Sequence, residues 1–289
     1  MKVSLIKTAG ILLSFLIVFT WACKTKEAYS SDYLIAKQNF HSMLIKNEKA
    51  PQDYQELLSN EDFLKVTYPS YGNELQGLLV RKNIDSSKRK PVLVYLHGGF
   101  ALGDGDLYDC EVFTEQGYIV FAPTYRGENG NAGNFELFLG EVSDAKEAVK
   151  WIAKQPFADS NKIYVFGHSI GGGVSSMLSL EKDVPIAKSG SSGGLYDKEF
   201  YGWDDIVPFD KKNSKEAMIP VLIDNLQSMQ MNHYAYIGNE DEGFTYNKAY
   251  LDEKAKNTKL KIFYTEGDHF TSLEPAMKNF IQLINSSGN

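Results

Sequence analysis

Cysteine is scarce in this sequence. The 289 residues contain only two, Cys23 and Cys110, whereas hydrophobic residues make up 43% of the chain. A framework of several disulfides is therefore excluded, and the fold has to be stabilised by a hydrophobic core. A chain of this length and composition can bury enough apolar surface to form one large domain.

Basic residues are too few for a nucleic-acid-binding protein. The chain has 30 Lys and Arg against 37 Asp and Glu, which gives a formal net charge of -7 at pH 7. Binding to phosphate backbones depends on a basic surface, so nucleic acid is excluded as a partner. Heptads, internal repeats and long low-complexity tracts are also absent, which excludes coiled-coil and solenoid architectures.

Apolar runs long enough for a permanent transmembrane helix are missing as well. The run from Ile11 to Phe19 is about half of the roughly 20 residues that span a bilayer. Lys2 and Lys7 precede or border this run, and no acidic residue occurs before Glu27. This pattern predicts a secretory signal peptide over residues 1–22.

Cys23 follows the small residue Ala22 directly after this segment. The arrangement resembles a bacterial lipoprotein signal, in which the cysteine becomes the lipidated first residue of the mature protein. We therefore expect an exported protein of the bacterial cell envelope, held at a membrane through a lipid on Cys23. An ordinary signal peptide followed by a stray cysteine is the alternative.

Residues 23–60 are predicted to form a helical arm or tether. Apolar residues between Ser30 and Leu58 recur at helical spacing, and Pro51 stands where it could begin a second short helix. Residues 61–289 are predicted to form one domain, which is large enough to be a catalytic domain.

Strand and helix patterns alternate through this domain. KVTYPSYGNELQGLLVRK (65–82) predicts a hairpin around a Tyr-Gly-Asn turn. Six further strands are predicted at 91–96, 118–123, 162–166, 186–190, 233–237 and 259–265, and an amphipathic helix closes the chain. We therefore predict an α/β fold with a mostly parallel eight-stranded sheet, an antiparallel N-terminal hairpin and helices on both faces.

One glycine-rich stretch, IYVFGHSIGGG (163–173), has the sequence of a nucleophile elbow. Gly167, Ser169 and Gly171 match the G-x-S-x-G pattern between a strand and a helix. Glycine is needed at 167 and 171 because side chains there would clash where strand and helix approach. A flexible loop without chemistry is the alternative; a phosphate loop is not, because its lysine is missing after these glycines.

A serine hydroxyl becomes a nucleophile only when a base takes its proton and an acid orients that base. His269 is the histidine placed after the last predicted strand and before the last helix, at the edge of the sheet where Ser169 is expected. The acid is expected in the loop after strand 233–237, where Glu240, Asp241 and Glu242 follow one another. The pattern alone leaves the choice among these three open.

The oxyanion formed by such an attack requires preorganised N–H donors. The backbone N–H of Ile170, next to the nucleophile, is one expected donor. His97-Gly98-Gly99-Phe100 follows another strand at the same edge of the sheet, and Gly99 is the second expected donor because a glycine lets the backbone approach the substrate.

Together these motifs resemble the α/β-hydrolase superfamily, and within it the catalytic domain of the prolyl oligopeptidase family. HGGF, FAPTYRGENGNAG, the elbow, IGNEDE and GDHF follow that family's order over residues 65–285. The family pattern places the acid three residues after the glycine that ends its strand, which selects Asp241 from Gly238, with Glu240 second. The resemblance thus implies a triad of Ser169, Asp241 and His269, without a metal or cofactor.

The same resemblance bears on the substrate. Oligopeptidases proper carry a large propeller domain, which the region before Lys65 is too short to form. We therefore expect small carboxylic esters first and short peptides second. The alternative from a different functional class is a non-catalytic surface-binding lipoprotein with the same fold. Residues 191–231, which are rich in aromatic side chains, are a candidate lid or pocket wall, although ordinary core packing would use the same residues.

Overall fold

The structure is a computed structural model, in which residues 33–38, 44–212, 217–245 and 247–286 are described. The predicted signal peptide over residues 1–22 and Cys23 lie outside these residues. Within the described part of the chain, no helix combines the length and the hydropathy that crossing a membrane requires.

Eight strands form one sheet in the order β1-β2-β4-β3-β5-β6-β7-β8. The strands are Phe63–Ser70 (β1), Asn73–Val80 (β2), Lys90–Leu96 (β3), Ile119–Pro123 (β4), Ala158–His168 (β5), Lys188–Ser192 (β6), His233–Gly238 (β7) and Leu260–Thr265 (β8). β2 pairs antiparallel with both β1 and β4, and all other pairs are parallel. The predicted sheet and its N-terminal hairpin are therefore confirmed.

The hairpin turn is as short as the sequence indicated. Tyr71 and Gly72 have φ angles of 45° and 86°, which is the left-handed pair of a two-residue turn. The turn therefore brings Ser70 opposite Asn73 and fixes the register of the whole β1–β2 pair.

Helices cover both faces of the sheet, as predicted. The described helices are Tyr33–Gln38 (α1), Asp104–Tyr108 (α2), Glu111–Thr114 (α3), Gly140–Ile152 (α4), Ser169–Leu178 (α5), Glu242–Thr245 (α6), Lys248–Ala255 (α7) and Leu273–Ser286 (α8). Val92 and Val94 of β3 pack in one core cluster with the apolar sides of α4 and α5. Leu93 and Tyr95 pack in a second cluster with Phe113 and the apolar side of α8. Successive residues of β3 thus pack on opposite faces of the sheet.

The prediction of a helical arm is wrong for the residues from 44 onward. Helix is present over Tyr33–Gln38, but residues 44–60 contain none, and Pro51 begins no second helix. The backbone groups of this stretch form hydrogen bonds with the rest of the domain instead. Ala50 N–H donates to the Gly127 carbonyl at 3.1 Å, and the Glu48 carbonyl accepts from Phe135 N–H at 2.9 Å. Tertiary hydrogen bonds override the helical spacing here.

The described residues of the segment 191–231 serve mainly as core. Phe200, Phe209 and Val221 are buried, and two short 3₁₀ turns occur at Glu199–Gly202 and Ile223–Ser228. Leu195, Glu199 and Trp203 nevertheless line a cavity beside Ser169. The described part of this segment is therefore both a packed layer and a pocket wall.

Candidate active site

Ser169 stands on a strained turn between β5 and α5. Its φ angle is 53°, in the left-handed region that residues other than glycine rarely adopt. A Cβ at Gly167 would lie 2.0 Å from the Gly171 carbonyl oxygen, and one at Gly171 would lie 2.0 Å from the Leu96 carbonyl oxygen. The two glycines therefore have the steric task that the sequence predicted, and they place Ser169 at the carboxyl edge of the sheet.

Asp241 and His269 meet at the same edge. His269 Nδ1 lies 2.8 Å from Asp241 Oδ2, which fixes the proton on Nδ1 and leaves Nε2 as the basic nitrogen. The other carboxylate oxygen of Asp241 accepts from Gly243 N–H at 3.1 Å. Asp241 is 3% exposed, whereas 28% of the His269 side chain is exposed. A buried carboxylate thus orients a histidine that reaches the surface of the cleft.

Two backbone hydrogen bonds hold the loops that carry this pair. Asn239 N–H donates to the Thr265 carbonyl at 2.8 Å, and Glu240 N–H donates to the Gly267 carbonyl at 3.0 Å. The carboxylate of Asp268 accepts from the N–H groups of Phe270 and Thr271. Asp268 therefore shapes the histidine loop, and Asp241 is the acid that contacts His269.

His168 is a residue of this site that the sequence reasoning set aside. Its Nε2 lies 2.9 Å from the His269 carbonyl oxygen, and the two rings are 5.0 Å apart. Burial lowers the pKa of His168, so the ring is neutral and donates through Nε2–H. His168 therefore ties the elbow to the histidine loop. Its position beside the nucleophile in the motif was the signal that could have indicated this role.

Gly193 is the second site residue that was missed. Its φ angle is 55°, and a Cβ there would lie 2.9 Å from His269 Nδ1 and 3.3 Å from Asp241 Oδ2. A side chain at this position would therefore press on the Asp241–His269 hydrogen bond. The signal in the sequence was a glycine pair, Gly193-Gly194, directly after a buried strand.

The loop of the predicted oxyanion donor lies against the elbow. A Cβ at Gly98 would be 3.6 Å from Ser169 Cβ, and Gly99 has a φ angle of 64°. Ile170, directly after Ser169, is buried. The structure therefore brings both predicted donors to the elbow, and their role in stabilising an oxyanion stays a prediction.

A buried ion pair supports this loop. His97 Nε2 lies 3.2 Å from Glu128 Oε2, and His97 Nδ1 lies 3.0 Å from the Gly98 carbonyl oxygen. The Nε2–H group does not point directly at the carboxylate, so this contact is a close charge pair rather than an aligned hydrogen bond. Burial alone would lower the pKa of His97, but Glu128, Asp106 and the Gly98 carbonyl together outweigh burial and raise it to about 9. His97 is therefore charged at neutral pH.

Gln52 brings the non-helical N-terminal segment into the site. Its Oε1 accepts from Phe100 N–H at 2.8 Å and would lie 2.6 Å from a Cβ at Gly99. Because the backbone group is a donor, the atom facing it has to be the amide oxygen, and Nε2 keeps its two protons for other partners. No sequence signal pointed to this residue.

Ser169 and His269 border two cavities. The first has a volume of about 1070 Å³ and also contacts Gln52, Gly99 and His168. The second has a volume of about 630 Å³ and also contacts Leu195, Glu199, Trp203 and Asp241.

Acidic side chains dominate the lining of both cavities. Asp106, Asp109, Glu111, Glu115 and Glu274 line the first, and Glu199, Glu240, Asp241, Glu242 and Asp268 line the second. Among the described residues that line either cavity, none is lysine or arginine. The electrostatic potential of the cleft is therefore negative.

Comparison with known proteins also identifies a hydrolase family. The family model of the prolyl oligopeptidase family (Peptidase_S9) matches residues 106–255. An uncharacterized peptidase of Bacillus subtilis, YtmA, is 33% identical over 134 residues, which cover 46% of this chain and 51% of that protein. The chain spans about half the length, or less, of the first curated relatives it matches.

Solved structures share the fold. The acylaminoacyl peptidase of Pyrococcus horikoshii aligns with a TM-score of 0.61 and 17% identity over 77% of this chain and 40% of its own. The Pyrococcus furiosus esterase Pf2001 aligns with a TM-score of 0.58 and 15% identity over 80% of this chain and 96% of its own. Because the family match covers half of the sequence and the fold agrees, this chain belongs to the prolyl oligopeptidase family of α/β-fold serine hydrolases.

Proposed function

We propose that this serine hydrolase cleaves carboxylic esters of small acyl groups through a covalent acyl-enzyme. The observation that carries the proposal is the Asp241–His269 hydrogen bond of 2.8 Å beside the strained elbow of Ser169, with Ser169 and His269 bordering the same cavities. This is the arrangement of nucleophile, base and orienting acid that acyl transfer requires.

In the first half of the reaction, Ser169 Oγ attacks the acyl carbon while His269 Nε2 takes the hydroxyl proton. Asp241 stabilises the imidazolium without taking its proton. Charge on the carbonyl oxygen is stabilised by N–H groups of Gly99 and Ile170. When the tetrahedral intermediate collapses, His269 gives its proton to the leaving alkoxide, and the acyl group stays on Ser169.

The second half repeats these steps with water as the nucleophile. His269 takes a proton from water, and hydroxide attacks the acyl carbon. The proton then passes to Ser169 Oγ as the carboxylic acid leaves. Each residue is restored, so turnover needs no redox partner.

Support for esters over amides comes from the fold comparison. The esterase Pf2001 aligns with this chain over 96% of its own length, so an esterase of this fold needs little more than the part of the fold shared with this chain. Cleavage of short peptides is the second candidate. It is favoured by the family match and by the relative named as a peptidase.

A fluorophosphonate probe separates the enzyme from a non-catalytic binding protein. Wild type is expected to be labelled, and Ser169→Ala is expected to lose the label while keeping its melting temperature. An unlabelled wild type, under conditions that label a known serine hydrolase, would leave the surface-binding lipoprotein as the better reading. Matched p-nitrophenyl esters and p-nitroanilides then sort ester from amide cleavage, and amide cleavage without ester cleavage overturns the preference for esters.

We further propose that the protein is exported and anchored to a bacterial membrane through a lipid on Cys23. The support is the sequence of residues 1–23. In cells, Cys23→Ser is expected to move the protein from the membrane fraction to the soluble fraction. Unchanged partitioning would contradict lipidation.

A further inference from the structure

Glu199 is a carboxylate in the cavity of the nucleophile that the proposed reaction does not use. It begins a 3₁₀ turn and lines the same 630 Å³ cavity as Ser169 and His269. Its Oε2 accepts from Asp197 N–H at 2.9 Å. Its Oε1 is covered by protein and has no hydrogen-bond partner.

A buried carboxylate oxygen without a partner is rare, because protein interiors normally satisfy such acceptors. Lys198, the neighbouring base, does not supply a partner, since it pairs with Asp224 at 2.9 Å. Burial raises the pKa of Glu199, and no basic side chain is among the groups that shift it. Glu199 is thus an acid that lacks its counter-charge.

The side chain is placed where a substrate could provide that charge. Glu199 is partly exposed and borders the cavity. The last torsion of a glutamate is soft, and binding by Oε1 requires the carboxyl group to rotate about this bond.

The walls around Glu199 suit a cation on an apolar stem. Leu195, Trp203 and Phe270 line the same cavity, and alkyl stems of charged groups pack well on such surfaces. Trp203, whose ring also packs near Phe100 and Phe200, contributes an aromatic side chain to this lining. Glu240 and Glu242 at this cavity carry charge of the same sign as Glu199, and none of its described lining residues is lysine or arginine.

We propose that Glu199 is a specificity-determining residue that binds a primary ammonium or guanidinium group on the acyl part of the substrate. The inference rests on the proposed function, because it assumes that acyl groups attached to Ser169 extend into this cavity. The charge stands either on a lysine-like or arginine-like side chain or on a free α-amino group, and both sources share this chemistry.

The first test compares substrates that differ only in charge. Nα-acetyl-lysine p-nitrophenyl ester is expected to have a kcat/KM about ten- to a hundred-fold above that of the Nα-acetyl-norleucine ester, as a charge-assisted hydrogen bond gives. Alanine p-nitrophenyl ester with a free amino group, compared with its Nα-acetyl form, tests the α-amino source. If neither cation is preferred while the neutral esters are cleaved, the inference is wrong and the proposed function stands.

The second test changes the acid. Glu199→Gln keeps an oxygen for Asp197 N–H and is expected to bring the lysine-to-norleucine ratio close to one, mainly through KM. Glu199→Asp should keep part of the preference. Glu242→Gln removes the same charge from an exposed position of the same cavity and should change the ratio about two-fold or less. Equal effects of Glu199→Gln and Glu242→Gln would contradict direct binding.

A third measurement requires neither turnover nor a folded variant. Agmatine, a guanidinium on a short alkyl stem, is expected to slow fluorophosphonate labelling of wild-type Ser169, whereas n-butanol at the same concentration is not. Labelling that is equally fast in agmatine and butanol would overturn the inference. Absence of any labelling would instead count against the proposed function.

Discussion

At the scale of single residues, Asp241 determines which nitrogen of His269 is basic. Its carboxylate holds the proton on Nδ1, 2.8 Å away. An amide at 241 could donate to Nδ1 instead, which would stabilise the wrong tautomer. This dependence can be measured separately from folding.

We expect Asp241→Asn to lower kcat for ester hydrolysis by about 10³- to 10⁴-fold, with a much smaller change in KM. Glu240→Gln, the same type of change at the exposed neighbour, is the control and should leave kcat within about two-fold. Steady-state kinetics on a neutral ester would check this. Similar losses in both variants would show that the loop, rather than Asp241, is responsible.

The close packing of Gly193 against His269 leads to a prediction about a side chain at this position. Gly193→Ala would place a Cβ 2.9 Å from His269 Nδ1 at a φ of 55°. The expected result is a fall in kcat of ten-fold or more, together with destabilisation of about 1 kcal/mol from the strained backbone. Gly202→Ala is the matched control, because a Cβ there meets nothing within 4 Å. Full activity in Gly193→Ala would contradict the close packing.

The His97–Glu128 pair leads to a prediction about pH. The folded-state pKa of His97, about 9, lies above its unfolded value of about 6.5. Its stabilisation is therefore fully present below pH 6.5 and is lost as the pH rises through 9, with a magnitude on the order of 3 kcal/mol. Urea unfolding from pH 6 to pH 10 should show this fall. In Glu128→Gln the fall should be much smaller, and an unchanged fall would assign it to other groups.

The residues of the site differed in how far the sequence could predict them. Ser169, Asp241 and His269 follow strands at fixed positions of a known pattern, so the topology alone brings them to one edge. Gln52, Gly193 and Glu199 could not be found in this way. Gln52 contacts Phe100 and Gly193 packs against His269 across segments distant in sequence, and Glu199 shares a cavity with distant residues. The glycine pair at Gly193 indicates a tight turn but not which residues meet there.

At the scale of elements, strands and the helices that follow them were predictable because apolar periodicity reports burial directly. The boundaries were less so. α4, for example, begins at Gly140, where the Glu141 carboxylate accepts from Glu136 N–H at 2.6 Å, a contact that apolar periodicity does not indicate. The stretch 44–60 has helical spacing but lies along the domain, because several of its backbone groups bond to distant residues, namely Gly127, Phe135 and Pro208.

The closing helix α8 is the element whose contribution is simplest to test. Phe280 is fully buried in the second core cluster, with its ring 5.2 Å from that of Phe166. Phe280→Ala is expected to lower the free energy of unfolding by about 3–5 kcal/mol. Gln282→Ala, on the exposed side of the same helix, should change it by less than about 0.5 kcal/mol. Thermal and urea melts measure both, and equal losses would contradict the assigned helix orientation.

At the scale of the whole molecule, stability comes from the core and not from cross-links. Cys110, the described cysteine, is fully buried. Burial raises the pKa of its thiol, and Asp109 and Asp106 raise it further. Both effects suppress reaction of the folded protein with thiol reagents.

Cys110 should therefore report global unfolding. In a Cys23→Ser background, reaction with Ellman's reagent is expected to be slow in buffer and to accelerate at the urea concentration where circular dichroism falls. Reducing agent should leave the melting temperature unchanged. Fast labelling of the folded protein would indicate local opening around α2 and α3.

The contact of Gln52 also bears on where the chain can be divided into fragments for expression. The family match begins at residue 106, yet the Phe100 N–H that Gln52 accepts from, and three of the eight strands, lie before that residue. A boundary drawn from sequence similarity is therefore not the boundary of a folding unit. Fragments for expression or domain exchange should retain residues 44–60, and swapping that stretch between relatives offers a way to change substrate preference without touching the triad.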